Sequence, residues 1–197
     1  MFTNNPYAQA GWYNPQNPHS INGQPWNANA PHPPTFGALP SQNGSTPTKL
    51  TFEFPDVLNC AVTGPGGKTY LSIVSNNAST LISKPNGEPV ARVEWQAQPL
   101  VEIRNVVGRQ LVSSWLPLSA DHSYRTMTVG GRAYAWVPRS GSIVLCTAGP
   151  NPPEEFARIA RTSRNIVMEI TSEAVHAGLF EVGVVATVLL QSGRSLA

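Results

Sequence analysis

Arginine is the residue type whose chemistry and spacing point most directly to a ligand in this sequence. Arg158, Arg161 and Arg164 recur at every third position, and Arg92 and Arg104 lie on the polar side of strand-like stretches. A guanidinium group offers a planar fork of donors that fits the oxygens of a phosphate. These five residues therefore form a candidate binding site for an anionic phospholipid.

A second interpretation of two of these arginines needs no ligand. Glu94 follows Arg92 by two residues, and Glu102 precedes Arg104 by two. Residues at this spacing share one face of a strand, where Arg–Glu pairs across neighbouring strands commonly stabilise a sheet surface. The sequence leaves both interpretations open.

Residues that could catalyse a reaction do not form an active-site pattern. Asp121 and His122 could supply the orienting and basic members of a hydrolytic triad, but the sequence has no G-x-S-x-G segment for a nucleophile. Glu154 and Glu155 follow an Asn-Pro-Pro turn, whereas a glycosidase needs two carboxylates converging in a cleft. We therefore predict that the protein is not an enzyme.

The segment VTGPGGKT, residues 62–69, approaches the phosphate-loop pattern G-x-x-x-x-G-K-[ST]. Val62 stands where the first glycine belongs, and a strand-like stretch follows the segment. Phosphate binding by such a loop requires a helix N-terminus at that point. We predict an ordinary β-turn there instead.

The cysteines and histidines indicate neither a metal nor a cofactor. Four His and two Cys are scattered without the spacing of a metal site. Cys60 and Cys146 are interpreted as reduced thiols, with a single disulfide or a redox pair as the alternatives. The first residues, MFTNNPYAQAGW, lack the cationic start and apolar run of a secretory signal. We expect an intracellular, cytoplasmic protein.

The charge balance excludes one class of partner. The net charge is only +2, from 13 Lys and Arg against 11 Asp and Glu. A nucleic-acid-binding domain normally concentrates basic residues in a stripe or patch. We therefore expect no nucleic acid, and the partner is either an unknown protein or an anionic membrane surface that the protein contacts peripherally.

Residues 1–48 differ in composition from the rest of the chain. They contain nine Pro and eight Asn and none of the charged residues. Such a segment cannot bury enough apolar surface to offset the entropic cost of ordering its backbone, about 1–2 kcal/mol per residue. We predict a disordered tail over residues 1–48 and one folded domain over residues 49–197.

The folded domain has the pattern of an antiparallel sandwich or barrel. Short β-prone stretches are separated by turn residues at intervals of about 8 to 12. Asn86-Gly87 and Gly130-Gly131 predict tight turns, and period-two alternation assigns Val93, Tyr134 and Trp136 to the core. The predicted strands are LTFEF, NCAVT, TYLSIVS, STLISK, PVARVEW, LVEIR, LVSSWL, SYRTMTV, RAYAWV, SIVLC, EFARIAR and NIVMEI.

The C-terminal stretch AVHAGLFEVGVVATVLL is apolar on nearly all sides and too long for a strand. We predict a buried central helix over about residues 173–191, in which Gly178 and Gly183 let sheet side chains approach closely. A membrane span is the alternative. It needs about 20 predominantly apolar residues, however, and His176 and Glu181 interrupt this stretch, so we expect no transmembrane span.

The order of these motifs resembles a known family. The succession TYLSIVS, PVARVEW, SSWLPLS, YRTMTVGGRAYAWV, FARIAR, NIVMEI and LFEVGVVATVLL resembles the fungal domains of unknown function in the tubby-like C-terminal superfamily. The resemblance covers residues 49–192 and implies a closed antiparallel barrel of about twelve strands around a buried C-terminal hydrophobic helix. The alternation pattern predicts the same mainly β fold independently.

The resemblance transfers no ligand residue. Tubby proteins bind phosphoinositides and the phospholipid scramblases are distant relatives, but neither the tubby lipid-contacting motif nor the scramblase cysteine cluster matches this chain. Because a fold does not determine function, two hypotheses follow. The protein is a non-catalytic binding or scaffolding module of unknown ligand, or it binds anionic phospholipid, such as phosphoinositide, peripherally through an arginine-bearing face of the barrel.

Overall fold

The computed structural model describes residues 46–53, 56–149 and 153–196. Within these ranges the chain forms twelve β-strands in a single sheet and three α-helices. The first strand begins at Thr48, one residue before the predicted start of the folded domain. The prediction of a disordered tail concerns mainly residues 1–45, which lie outside the described residues.

The elements have the following bounds. The strands are β1 Thr48–Phe52, β2 Cys60–Thr63, β3 Thr69–Ser75, β4 Ser79–Ser83, β5 Pro89–Glu94, β6 Leu100–Ile103, β7 Val107–Leu111, β8 Arg125–Val129, β9 Arg132–Arg139, β10 Ser142–Thr147, β11 Glu155–Arg161 and β12 Ile166–Ile170. The helices are α1 Val112–Trp115, α2 Ser172–His176 and α3 Leu179–Gln191.

The sheet has the order β7-β6-β5-β4-β3-β2-β1-β12-β11-β10-β9-β8, and every neighbouring pair is antiparallel. The edge strands are therefore β7 and β8, which follow each other in the chain. Helix α1 connects them and contacts both, together with β6. The sheet thus curls into a nearly closed barrel, and α1 lies at the seam.

Helix α3 occupies the interior of this barrel. It contacts β12 on one side and β5 and β6 on the other. These strands are five and six positions apart in the twelve-strand order, so they belong to opposite walls. Nine residues of α3 are buried, including every residue from Val182 to Leu189. The predicted mainly β fold with a buried C-terminal helix is confirmed.

The predicted central helix is interrupted. Residues 173–191 form two helices, because Gly178 adopts a left-handed backbone conformation, with φ of 74°, between α2 and α3. Glycine in this conformation commonly ends a helix. The expected role in close packing is therefore wrong for Gly178 but confirmed for Gly183, where a Cβ would lie 3.2 Å from Met168 Sδ of β12.

One predicted strand, LVSSWL, is also wrong. Its residues Val112 and Trp115 lie in α1, and Val107–Leu111 forms the strand β7 instead. The buried residues Val112, Trp115 and Leu116 have the i, i+3, i+4 spacing of a helix face. β7 shows no alternation of apolar and polar residues because Gly108, Arg109 and Gln110 of this edge strand are all exposed.

The other predicted strands agree with the structure to within two residues at either end. Gly87 and the pair Gly130-Gly131 all have positive φ, as tight turns require. Tyr134 and Trp136 are each 1% exposed and Val93 is fully buried, which confirms the predicted core face. Pro65–Gly67 forms a one-turn 3₁₀ helix followed by β3, so the strand predicted after VTGPGGKT is also confirmed.

Among the described residues, no helix is both long enough and apolar enough to cross a membrane.

Candidate functional site

The five arginines predicted to bind a ligand lie on two sides of the barrel. Arg92 is in β5 and Arg104 follows β6, whereas Arg158 and Arg161 are in β11 and Arg164 is in the turn before β12. β5 and β11 are six positions apart among the twelve strands. The two groups therefore lie on opposite walls, and they cannot contact one small ligand together.

The arginines of the β5–β7 wall are paired with carboxylates. Arg92 Nε lies 3.5 Å from Glu94 Oε1, and Arg109 Nη2 donates to Glu94 Oε2 at 2.7 Å. Arg104 Nη1 lies 3.5 Å from Glu88 Oε1. The hydrogen bond from Arg109 is the main cause that lowers the pKa of Glu94. On this wall the alternative of surface ion pairs describes the arginines well.

Arg158 is also paired, although it belongs to the other wall. Its Nε donates to Glu155 Oε1 at 3.1 Å, and its Nη2 donates to Glu155 Oε2 at 3.3 Å. This bidentate contact occupies guanidinium nitrogens that would otherwise bind a phosphate. Arg158 is therefore a weaker candidate for ligand binding than its position in the sequence indicates.

Three further arginines lie at the end of the barrel where α3 finishes, which we call the α3 end. Arg139 and Arg161 end β9 and β11, which flank β10, and Arg164 lies in the turn between β11 and β12. Two strand spacings put the backbones of Arg139 and Arg161 roughly 10 Å apart. All three side chains are exposed, and none has a carboxylate within 4.0 Å among the described residues. We call them the rim arginines.

Hydrogen bonds within the turn fix the position of Arg164. Thr162 Oγ1 accepts from the backbone N–H groups of Arg164 and Asn165, at 3.3 and 2.9 Å, and the backbone N–H of Thr162 donates to the carbonyl of Asn165 at 2.8 Å. Threonine commonly stabilises turns in this way. The turn therefore presents Arg164 to solvent on a fixed backbone.

A cleft of about 230 Å³ opens at the α3 end beside the rim arginines. Arg161, Ile166 and Phe52 are neighbours in register across β11, β12 and β1, so they share the inward face. Ile166 and Phe52 are buried, whereas Arg161 is exposed because the barrel ends there. The described residues lining this end cleft are Phe52, Glu53, Asp56, Val57, Arg161, Ile166, Gln191, Ser192 and Gly193.

Charges of both signs line the end cleft without pairing. Arg161, Glu53 and Asp56 border it, yet no ion pair within 4.0 Å joins Arg161 to either described carboxylate. Asp56 instead accepts from the N–H of Leu58 at 3.0 Å and from Asn59 Nδ2 at 3.1 Å. These contacts hold the Asp56 carboxylate in a local turn.

The C-terminus of α3 adds partial negative charge to the end cleft. A helix C-terminus carries partial negative charge, and α3 has no basic residue in its last turn. Arg194 follows shortly after, but its guanidinium carbon lies 4.6 Å from the centre of the Trp95 ring. It is thus engaged in a cation–π contact.

The residues considered for catalysis have other partners. The Asp121 carboxylate accepts from the hydroxyls of Ser119 at 2.6 Å and Ser123 at 2.8 Å, and these bonds lower its pKa to about 2. His122 lies in the same loop with a positive φ of 60°. The Asp121 carboxylate is thus held by hydroxyls of its own loop.

The two cysteines are free thiols in different strands, β2 and β10. Burial is the main cause that raises the pKa of Cys60 to about 11, and burial also raises the pKa of Cys146. A raised pKa keeps a thiol protonated and weakens it as a nucleophile. Among the described residues, no group of three or more His, Cys, Asp or Glu is placed to hold a metal ion.

Two features of the α3 end were missed in the sequence. The first is Arg139, which precedes Ser140-Gly141 in the tight turn between β9 and β10 and pairs with Ser142. The order Arg-Ser-Gly-Ser could have located this turn, because turn-forming residues between strand-like stretches also marked the other predicted turns. The end cleft had no such signal, because its lining residues come from four separate parts of the chain.

Comparisons with known proteins add little. No protein-family model matches the sequence, and no curated protein matches it. A solved structure of a protein from Arabidopsis thaliana is similar, with 12% sequence identity, a TM-score of 0.36, and coverage of 70% of this chain and 89% of that chain. A likeness this distant carries no conclusion about the present chain.

Proposed function

We propose that the described domain is a non-catalytic binding module and that its ligand contacts the α3 end of the barrel. The observation that carries the proposal is the grouping of Arg139, Arg161 and Arg164 at adjacent hairpins without carboxylate partners among the described residues. Of the other described arginines, Arg92, Arg104, Arg109 and Arg158 have such partners. Arg125 donates to the carbonyl of Leu116, Arg194 lies over the Trp95 ring, and Arg132 is a single exposed arginine at the opposite end of the barrel. Positive charge left unpaired in one place favours an anionic ligand.

The ligand class that fits best is anionic phospholipid at a membrane surface. The rim arginines are spread along an edge rather than gathered in one pocket, which suits several headgroups better than one small anion. Leu118 and Tyr124, which are 43% and 38% exposed, precede β8 at the same end. Exposed apolar and aromatic side chains beside basic residues are typical of surfaces that lie at a bilayer interface.

The expected affinity is modest. Each basic residue near an anionic membrane contributes about 1 kcal/mol, so three rim arginines give a weak, reversible and salt-sensitive attachment. Asp121 also lies in the loop before β8, and its lowered pKa keeps it charged at neutral pH. This anion reduces the attraction next to Leu118 and Tyr124, so the rim arginines supply the main electrostatic contact.

The absence of catalysis is part of the proposal. Helix α3 fills the interior that could otherwise enclose a substrate. Burial raises the pKa of the Cys60 thiol and keeps it protonated, and the Asp121 carboxylate accepts hydrogen bonds within its own loop. These observations support binding over chemistry. The sequence resemblance to the tubby-like superfamily is compatible with this proposal and adds lipid as one precedent for the fold.

Scaffolding of an unknown protein partner is the broader form of the same proposal. In that form the segment of residues 1–48 recruits the partner. Deletion of residues 1–45 removes most of this segment and leaves β1 intact. Capture of a partner by the full chain but not by the shortened chain would support this form of the proposal. Capture that is unaffected by the deletion would contradict it.

Co-sedimentation with vesicles tests the lipid proposal. The full chain is mixed with phosphatidylcholine vesicles, with or without phosphatidylserine or phosphoinositide, at low and moderate salt. The test variant replaces Arg139, Arg161 and Arg164 with Gln, and the matched control replaces Arg92, Arg104 and Arg109 with Gln, which removes the same charge from the opposite wall. We expect salt-sensitive binding to anionic vesicles that only the test variant loses. Equal loss in both variants, or no binding by the unmodified chain, would contradict the proposal.

A further inference from the structure

We infer that the end cleft binds a small zwitterion, a molecule that carries an ammonium group and, a few bonds away, a carboxylate or phosphate. This is a binding site for one small molecule, and it does not depend on the membrane contact proposed above. The inference comes from the arrangement of unpaired opposite charges around one cavity.

Arg161 forms the anion-binding side of the end cleft. Its side chain lies on the inward face beside Ile166, and no described carboxylate lies within 4.0 Å of it. Arg161 is exposed at the barrel end, so its guanidinium group is accessible to an anion that enters the cleft. A carboxylate or phosphate oxygen supplies that anion and accepts two parallel hydrogen bonds.

The cation-binding side consists of Glu53, Asp56 and the C-terminus of α3. No described Lys or Arg pairs with either carboxylate. Helix α3 ends at Gln191, with no basic residue in its last turn to offset its partial negative charge. An ammonium group placed there meets carboxylate oxygens and the negative end of the helix dipole together.

The size of the end cleft limits the ligand. Its volume is about 230 Å³, below the roughly 300–1,000 Å³ of sites for drug-sized molecules. Phe52, Val57 and Ile166 provide apolar contacts for the short carbon chain between the two charges. A ligand with one charge leaves the opposite charges of the cleft unmatched, so it should bind more weakly than a zwitterion.

Two sources could supply this chemistry. One is a free small molecule such as an amino acid, and the other is the phosphoethanolamine headgroup of a lipid. Both place an ammonium group a few bonds from an anion. The probes below separate the sources because phosphoethanolamine and β-alanine are tested in solution and phosphatidylethanolamine is tested in vesicles.

Titration of the full chain followed by backbone amide NMR tests the inference. Phosphoethanolamine and β-alanine are the zwitterionic probes, and ethanolamine and inorganic phosphate are the singly functional controls. We expect a zwitterion to shift the amides of Arg161, Ile166, Ser192 and Gly193 with saturation, and each control to bind at least about tenfold more weakly. If no probe shifts these amides at millimolar concentration, or if a control binds as tightly as the zwitterions, the inference is overturned.

Substitutions test which residues of the end cleft bind the anionic group and which bind the ammonium group. Arg161→Gln and Glu53→Gln should each weaken zwitterion binding about tenfold or more, since each removes a charge-assisted contact. Arg132→Gln, at an exposed arginine of β9 at the opposite end of the barrel, should leave binding unchanged. Both target side chains are exposed, so unfolding midpoints should not move, and this is checked first. Unchanged affinity in both target variants would overturn the assignment.

The two proposals fail independently. Loss of vesicle binding in a variant with Arg139→Gln and Arg164→Gln, together with unchanged phosphoethanolamine binding, separates the membrane contact from the cleft. Binding to phosphatidylethanolamine vesicles without binding to either soluble probe would overturn the small-molecule site. Binding to soluble probes without any vesicle binding would leave the cleft assigned and contradict the membrane proposal.

Discussion

Arg158 and Arg161 show how much one strand position changes the surroundings of an arginine. They are three residues apart in β11, so period-two alternation puts them on opposite faces of the sheet. Arg158 faces outward and is held by Glu155, whereas Arg161 lies in the inward row with Ile166 at the end of the barrel. The sequence predicted a cluster from their spacing alone. Applying the alternation to them would have separated the two roles.

Gly183 lies where α3 packs closely against β12. Replacing it with Val should destabilise the domain by about 1–3 kcal/mol, because the new side chain overlaps Met168 Sδ in a packed core. Val has a higher helix propensity than Gly, so a loss of stability reports the packing rather than the helix. Urea unfolding measures the difference.

A second substitution controls for this packing argument. Adding Met168→Ala to Gly183→Val removes the side chain that the valine meets. The double variant should be more stable than the sum of the two single changes indicates. Simple additivity would contradict the contact between α3 and β12 at this point.

Asp121 makes the stability of its loop depend on pH. Hydrogen bonds from Ser119 and Ser123 lower its pKa to about 2, below the roughly 3.9 of an unfolded chain. The stabilisation is therefore fully present above about pH 4 and is lost as the pH falls through about 2. Asp121→Asn should be less stable than the unmodified chain at pH 7, and the difference should shrink below about pH 4 and disappear only below about pH 2. A difference that does not change with pH would contradict this account.

At the scale of elements, the sequence predicted what alternation and turn residues determine. Strands β3 and β11 have the predicted bounds, because β-prone residues run unbroken between clear turn signals, although Phe156 and Ala157 of β11 are buried in succession. β7 and α1 were missed because both lie at the seam. An edge strand with three exposed residues shows no alternation, and a helix of four residues is too short to show a period.

Helix α1 should be important for the stability of the seam. It packs between the two edge strands, and Trp115 is 4% exposed there. Trp115→Ala should destabilise the domain by about 3–5 kcal/mol, since it leaves a large cavity. Ser114→Ala, an exposed neighbour, should change stability by less than about 0.5 kcal/mol. Similar effects of the two substitutions in thermal unfolding would show that α1 does not close the barrel.

At the scale of the whole domain, the antiparallel barrel and its buried helix were predictable, but the functional end was not. Period-two strands and one long apolar segment predict a sheet that covers a helix. The grouping of Arg139, Arg161 and Arg164 depends instead on which hairpins lie side by side at one end. That arrangement follows from the pairing of β10 with β9 and β11, which residue spacing does not reveal.

The central claim is that the α3 end contacts the anionic membrane surface. Hydrogen–deuterium exchange of the vesicle-bound chain tests this claim most directly. With anionic vesicles, we expect slower amide exchange at residues 139–142 and 161–166, in the hairpins of the rim arginines. The turns at residues 85–88 and 130–131, at the opposite end of the barrel, should exchange at the same rate with and without vesicles. Protection of those opposite turns, with no change at residues 139–142 and 161–166, would contradict the account.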